Sequence, residues 1–244
     1  MTIKCLAFDL DGTLLLDGSK KIDPRTFDSI QKAMAQGMHI VIASGRDKNG
    51  CKFVYEPLGL ENGNHFLALV NGQIIYDFEN KEYDLDDVLT TEDGIKIQKV
   101  CKEFGVEGIF QCGYDFYSYI SSLNRVKKKV KNAILGEPDD YGLKDGRENR
   151  NFIDLPFEEI RLTQDINKVI MVHTPKFFEK NFDGIKAALS DYDVLLVGPD
   201  WLEIMPKHVS KASALWKICD QLGISMNEVM AFGDAQNDLK MLQQ

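Results

Sequence analysis

The sequence predicts an α/β fold in which a parallel-sheet core is interrupted by an inserted α/β domain. Four short apolar runs, at 3–8, 39–43, 66–70 and 228–232, have the length and texture of buried strands. Each run stops abruptly at polar or glycine residues, which is how strands of a parallel sheet end above a functional site. Between the third and fourth runs the texture changes to long acidic, basic and aromatic stretches, so the core is expected to be discontinuous.

The elements follow in order. The run 3–8 leads into Asp9-Leu10-Asp11-Gly12-Thr13, a polar turn containing a glycine. A helix is predicted next, with Asp23 as N-cap, Pro24 in its first position and Gly37 at its end. Phe27, Ile30 and Met34 lie on one face of it. The second run stops at Ser44-Gly45-Arg46 and the third at Asn71-Gly72. The insertion is placed at 83–204, with strand-like runs at 168–173 and 193–197 among helical patterns. Its basic block, 125–131, is expected to be the solvated face of a helix. After it, Ser210 is positioned to cap a helix carrying Leu215, Ile218 and Leu222, closed by Gly223. The fourth run then ends at Gly233-Asp234. The core is therefore assigned to 1–82 and 205–244.

Composition narrows the function. A net charge of −9 and a pI of about 5.0 argue against a nucleic-acid partner, because an anionic surface repels a phosphate backbone unless a local basic face compensates. Five scattered cysteines, with no CxxC pair, argue against a disulfide framework and a zinc cluster. No apolar stretch approaches membrane-spanning length, so no membrane partner and a cytoplasmic setting are expected. Histidines 39, 65, 173 and 208 share no motif, which argues against histidine-based phosphoryl chemistry.

Acids sit where the strands stop. Asp9 and Asp11 follow the first strand, and Asp234 and Asp238 follow the last. If those strands are neighbours, carboxylates converge in one small volume and repel unless a counter-charge is supplied. A hard divalent cation resolves this, and Mg2+ takes carboxylate and carbonyl oxygens. Taken singly each residue has a plainer reading: Asp in a turn, Ser44 and Gly45 as a strand-ending turn, Lys211 as an exposed helix lysine, Asn237 as a cap.

Together these residues resemble the four motifs of the haloacid dehalogenase superfamily. Asp9-Leu10-Asp11-Gly12-Thr13 is similar to the first, Ser44-Gly45-Arg46 to the second, Lys211 to the third, and Gly233-Asp234-Ala235-Gln236-Asn237-Asp238 to the fourth. The fourth motif and Asn71-Gly72-Gln73 look like the Cof-like branch, whose members are sugar phosphatases with a C2-type cap. The resemblance implies a Rossmann-like core and a cap at 83–204 that selects the substrate. It also implies an aspartyl-phosphate mechanism with Asp9 as nucleophile, Asp11 as acid and base, and Lys211 as a third catalytic group. Mg2+ is then held by Asp9, Asp234 and the carbonyl of Asp11. Phosphate is held by Asp9, Leu10, Ser44, Gly45, Lys211 and Asn237, with Asp238 and Arg46 behind them. Arg46 either touches substrate or braces the loop by pairing with an acid.

The expected substrate is a small phosphorylated metabolite, with the oligomeric state left open. A sugar phosphomutase and a phosphate-binding protein without turnover are the alternative readings. Two departures from the family pattern stand out: His208 in place of a glycine before Lys211, and an end at Gln244 where the family continues with a further strand and helix. Exposed apolar surface beside the strand that delivers Asp234 is the expected consequence.

Overall fold

The computed structural model describes residues 2–15, 21–136, 151–157 and 164–244. Contacts divide the chain into two units, Met1–Asp87 with His208–Gln244, and Val88–Lys207.

The first unit opens with β1 (Cys5–Phe8), α1 (Pro24–Ala35), β2 (His39–Ala43), α2 (Lys48–Leu58), β3 (Phe66–Leu69), β4 (Ile74–Asp77) and β5 (Glu82–Leu85). α1 starts as its sequence signals require: the Asp23 carboxylate accepts from the Arg25 amide at 2.9 Å. α2 carries Gly50 in its first turn and Pro57 in its last, residues that disguise a helix in a sequence. It is nevertheless well bounded, with Asp47 accepting from the Gly50 amide at 2.8 Å and Gly59 in the left-handed region at its end.

The hairpin β4–β5 moves the expected boundary. β5 pairs with β4 as part of the first unit's sheet, so residues 83–85 belong to the core rather than to the insertion. All four β5 residues are exposed, which leaves no apolar alternation to mark the strand. The turn is tied by Asp77, whose carboxylate accepts from the amides of Glu79 and Asn80.

The second unit holds α3 (Thr91–Phe104), β6 (Glu107–Cys112), β7 (Asp115–Tyr119), α4 (Ser122–Leu135), β8 (Phe152–Leu155), β9 (Lys168–Val172), α5 (Pro175–Ala188), β10 (Tyr192–Gly198) and β11 (Trp201–Pro206). Its sheet runs β10-β11-β9-β6-β7-β8. Ile97, Phe110, Tyr119, Met171, Phe178 and Leu202 belong to its apolar core. The basic block lies on α4, but its expected solvated face is corrected in part. Lys128 turns inward to Glu107 at 2.7 Å, and Arg125 bonds the Asp154 carbonyl, while Val126 and Val130 are exposed. Buried Glu107 demands a cation, and that demand outweighs the hydration of the lysine. The side chain of Lys131, in the same block, lies outside the described residues.

The chain returns to the first unit with α6 (Lys211–Leu222), β12 (Val229–Phe232) and α7 (Leu239–Leu242). The sheet order is β12-β1-β2-β3-β4-β5, parallel from β12 to β3 and antiparallel beyond. Leu215, Ile218 and Cys219 of α6 pack on Cys5, Val41 and Ala43 in one cluster. β12 ends the sheet among the described residues. Met230 and Phe232 are exposed there, as are Leu239 and Leu242 beyond it, and Phe232 stacks on Phe8 at 4.9 Å. No described helix is long and apolar enough to cross a membrane.

Candidate active site

Strand order brings the motifs together. β1 lies between β12 and β2, with Phe8 level with both Phe232 and Ile42. The residues at and just beyond these strand ends, Asp9, Gly233-Asp234 and Ala43-Ser44, therefore emerge side by side. The Asp9 amide continues the ladder by donating to the Phe232 carbonyl at 2.9 Å. α6 delivers Lys211 as its first residue. Ser210 fixes that start with a reciprocal cap: its hydroxyl accepts from the Ser213 amide at 3.1 Å, and its amide donates to the Ser213 hydroxyl at 2.9 Å.

Lys211 is fully buried and donates to two carboxylates, Asp9 at 2.5 Å and Asp238 at 2.7 Å. One ammonium between two buried acids offsets repulsion that would otherwise protonate one of them. Burial pushes the Asp9 carboxyl up to about 6, against the downward pull of Lys211's charge and hydrogen bond; the Asp238 charge pushes it further up. Asp238 is held completely. Its second oxygen accepts from the amides of Asp234 at 3.1 Å and Ala235 at 3.0 Å. Asp238 therefore anchors the loop that presents Asp234.

Asp9, Asp234 and Asp238 each offer a carboxylate oxygen, all within 4.8 Å of one another. Asp238 is already committed to Lys211 and to amides, so Asp9 and Asp234 are the members of this group that fit a cation. An all-oxygen set of this kind suits a hard ion. Asp234 is exposed, and one of its oxygens accepts from the Thr13 hydroxyl at 2.7 Å. Gly12 permits this approach: a Cβ there would lie 2.3 Å from the Asp234 carboxylate, and its φ of +88° favours glycine in any case.

The other expected residues lie around this centre. Leu10 is buried and its carbonyl accepts from the Leu15 amide, while its own N–H lowers the Asp9 pKa. Ser44 is buried, with its hydroxyl accepting from the Arg46 amide at 3.2 Å, and Gly45 is half-buried between them. Arg46 forks onto Asp11 with bonds of 2.8 and 2.7 Å, which is the brace rather than the substrate contact. Asn237 donates to Asn71 at 3.0 Å. Thr13 and Asn71 entered the sequence reading as motif members without a role. Their partners lie 221 and 166 residues away, a pairing that only the fold reveals. His208 is exposed.

Asp9 and Asp234 thus stand at the ends of neighbouring parallel strands, with the buried Lys211 between Asp9 and Asp238. The chain belongs to the haloacid dehalogenase-like hydrolases, whose family model matches residues 6–244. A provisionally named phosphatase of Streptococcus pyogenes serotype M6 is 30% identical, covering 100% of this chain and 85% of the relative. The Bacillus subtilis strain 168 protein YitU, a 5-amino-6-(5-phospho-D-ribitylamino)uracil phosphatase, is 24% identical over 98% of this chain and 82% of its own. Among solved structures, a haloacid dehalogenase-like hydrolase from Bacteroides thetaiotaomicron superposes with a TM-score of 0.71 at 23% identity, covering 98% of this chain and 85% of that one. The subclass IIB sugar phosphatase BT4131 gives 0.74 at 21%, covering 98% and 84%. These two structural likenesses speak for the fold, which is α/β with a partly parallel core sheet.

Proposed function

We propose that this haloacid dehalogenase-type phosphatase hydrolyses small phosphomonoesters, sugar phosphates foremost, through a phosphoryl group carried on Asp9. The observation that carries the reading is the Lys211 ammonium shared by Asp9 and Asp238, next to the carboxylate of Asp234. Lys211 holds one oxygen of Asp9 and so fixes its orientation; the other oxygen attacks phosphorus in line as the leaving alkoxide departs. Asp11 protonates that alkoxide and then takes a proton from the water that releases phosphate. Both oxygens of Asp11 accept from Arg46, so this proton transfer requires the fork to open.

Mg2+ fits the carboxylates of Asp9 and Asp234 together with the carbonyl of Asp11. When bound it would supply positive charge that offsets the repulsion of a carboxylate nucleophile and a phosphate. Ser44 and Asn237 donate to those oxygens, and backbone amides at Leu10 and Gly45 complete the cradle. Sugar phosphates are favoured because one similar structure is a named sugar phosphatase and one relative's named substrate carries a 5-phospho-ribityl group. Phosphate release from a panel of sugar phosphates with Mg2+, read beside product identity, tests the reading. Inorganic phosphate in step with free sugar is expected. An isomerised sugar phosphate without phosphate release would replace hydrolysis with mutase chemistry.

A further inference from the structure

Residues 70–72 form an unusual turn. Val70, Asn71 and Gly72 all have positive φ, at +49°, +56° and +94°. A valine in this region is a true outlier, because its branched Cβ meets the backbone, and the strain is substantial. Strain of this size persists only where the surroundings over-determine it. Here Val70 and Asn71 are buried, the Val70 amide donates to the Arg46 carbonyl at 2.9 Å, and the Asn71 amide donates to the Ser44 carbonyl at 2.9 Å.

The same turn touches two further segments of the site. A Cβ on Gly72 would stand 2.2 Å from the Ser210 carbonyl oxygen and 3.0 Å from the Lys211 nitrogen, so the turn abuts the start of α6. The Asn71 side-chain oxygen accepts from the Asn237 amide at 3.0 Å. Asn237's own oxygen is buried and has no partner among the described residues. Nothing on that side dictates which way the Asn237 amide faces; the acceptor on Asn71 does.

We propose that Asn71 is a positioning residue of the hydrolytic site, orienting the Asn237 amide while its strained turn braces the loop of Ser44 and the start of α6. The assignment rests on the phosphatase reading, in which Asn237 donates to phosphate. With the Asn71 oxygen present, one Asn237 N–H is held and the other is aimed; without it the amide rotates and presents its oxygen to an anion.

Asn71→Gly is the informative variant, because glycine accepts the positive φ while the side-chain acceptor for Asn237 is removed. It is compared with Asn237→Ala and the double variant, measuring melting temperature, kcat/KM for p-nitrophenyl phosphate in Mg2+, and inhibition by inorganic phosphate. Asn71→Gly is expected to melt near the parent, to lose about tenfold in kcat/KM, and to weaken phosphate inhibition in parallel, the scale of one hydrogen bond. On the Asn237→Ala background the same change adds less than twofold. Unchanged kinetics in Asn71→Gly, or losses that simply multiply in the double variant, overturn the assignment. Should the parent release no phosphate, the functional reading fails by itself. The cycle is then read from the melting shift that inorganic phosphate produces, and no such shift in the parent overturns both.

Discussion

Lys211 is the residue on which the site turns. A lysine at the first position of an exposed helix is ordinary in a sequence, yet here it is sealed between Asp9 and Asp238. The acids were legible as a set because their type and their place after strands coincide. The fork of Arg46 onto Asp11 was legible only as one of two choices, since 35 residues separate the partners. Cysteine behaviour is a residue-scale prediction. Burial pushes the thiols of Cys5, Cys51, Cys101 and Cys112 up to about 12, and that of Cys219 to about 11. The thiolate is the reactive form, so at pH 8 a thiol of pKa 12 is ionised to about one part in 10⁴. Native protein is expected to resist a thiol-specific disulfide reagent at pH 8 and to yield all five cysteines in denaturant. Rapid labelling of any of them without denaturant would contradict their burial.

At the scale of elements, α1 and α6 were readable end to end because each carries a polar N-cap and a closing glycine. α2 escaped because Gly50 and Pro57 interrupt its pattern, and β5 because its side chains are all exposed. α4 was located, but its faces were assigned from hydration alone. The buried carboxylate of Glu107 lies on a distant strand and is absent from any local pattern. The reciprocal cap at Ser210 has an energetic consequence. Ser210→Ala leaves the Ser213 amide without its side-chain acceptor and is expected to cost about 1 kcal/mol in denaturant unfolding. It should also slow turnover, because the cap sets where Lys211 begins. Full stability with full activity would separate the cap from the site.

The whole molecule was legible as a discontinuous core with an insertion, because texture changes and returns along the chain. The limits 83 and 204 differ from the observed change of unit at Asp87–Val88 and Lys207–His208, since hairpin β4–β5 and the end of β11 carry no compositional mark. Exposed Met230 and Phe232 match the apolar surface expected beside β12. Family membership fixes a hydrolase; the proposed phosphatase mechanism rests on Asp9 as the group that takes up the phosphoryl. The most direct measurement is phosphate release from p-nitrophenyl phosphate by the parent and by Asp9→Asn, each with Mg2+ and with EDTA. Release by the parent in Mg2+, lost in EDTA and reduced by at least about 10³ in a folded Asp9→Asn, is the expected result. Equal rates in the parent and Asp9→Asn would contradict Asp9 as the nucleophile.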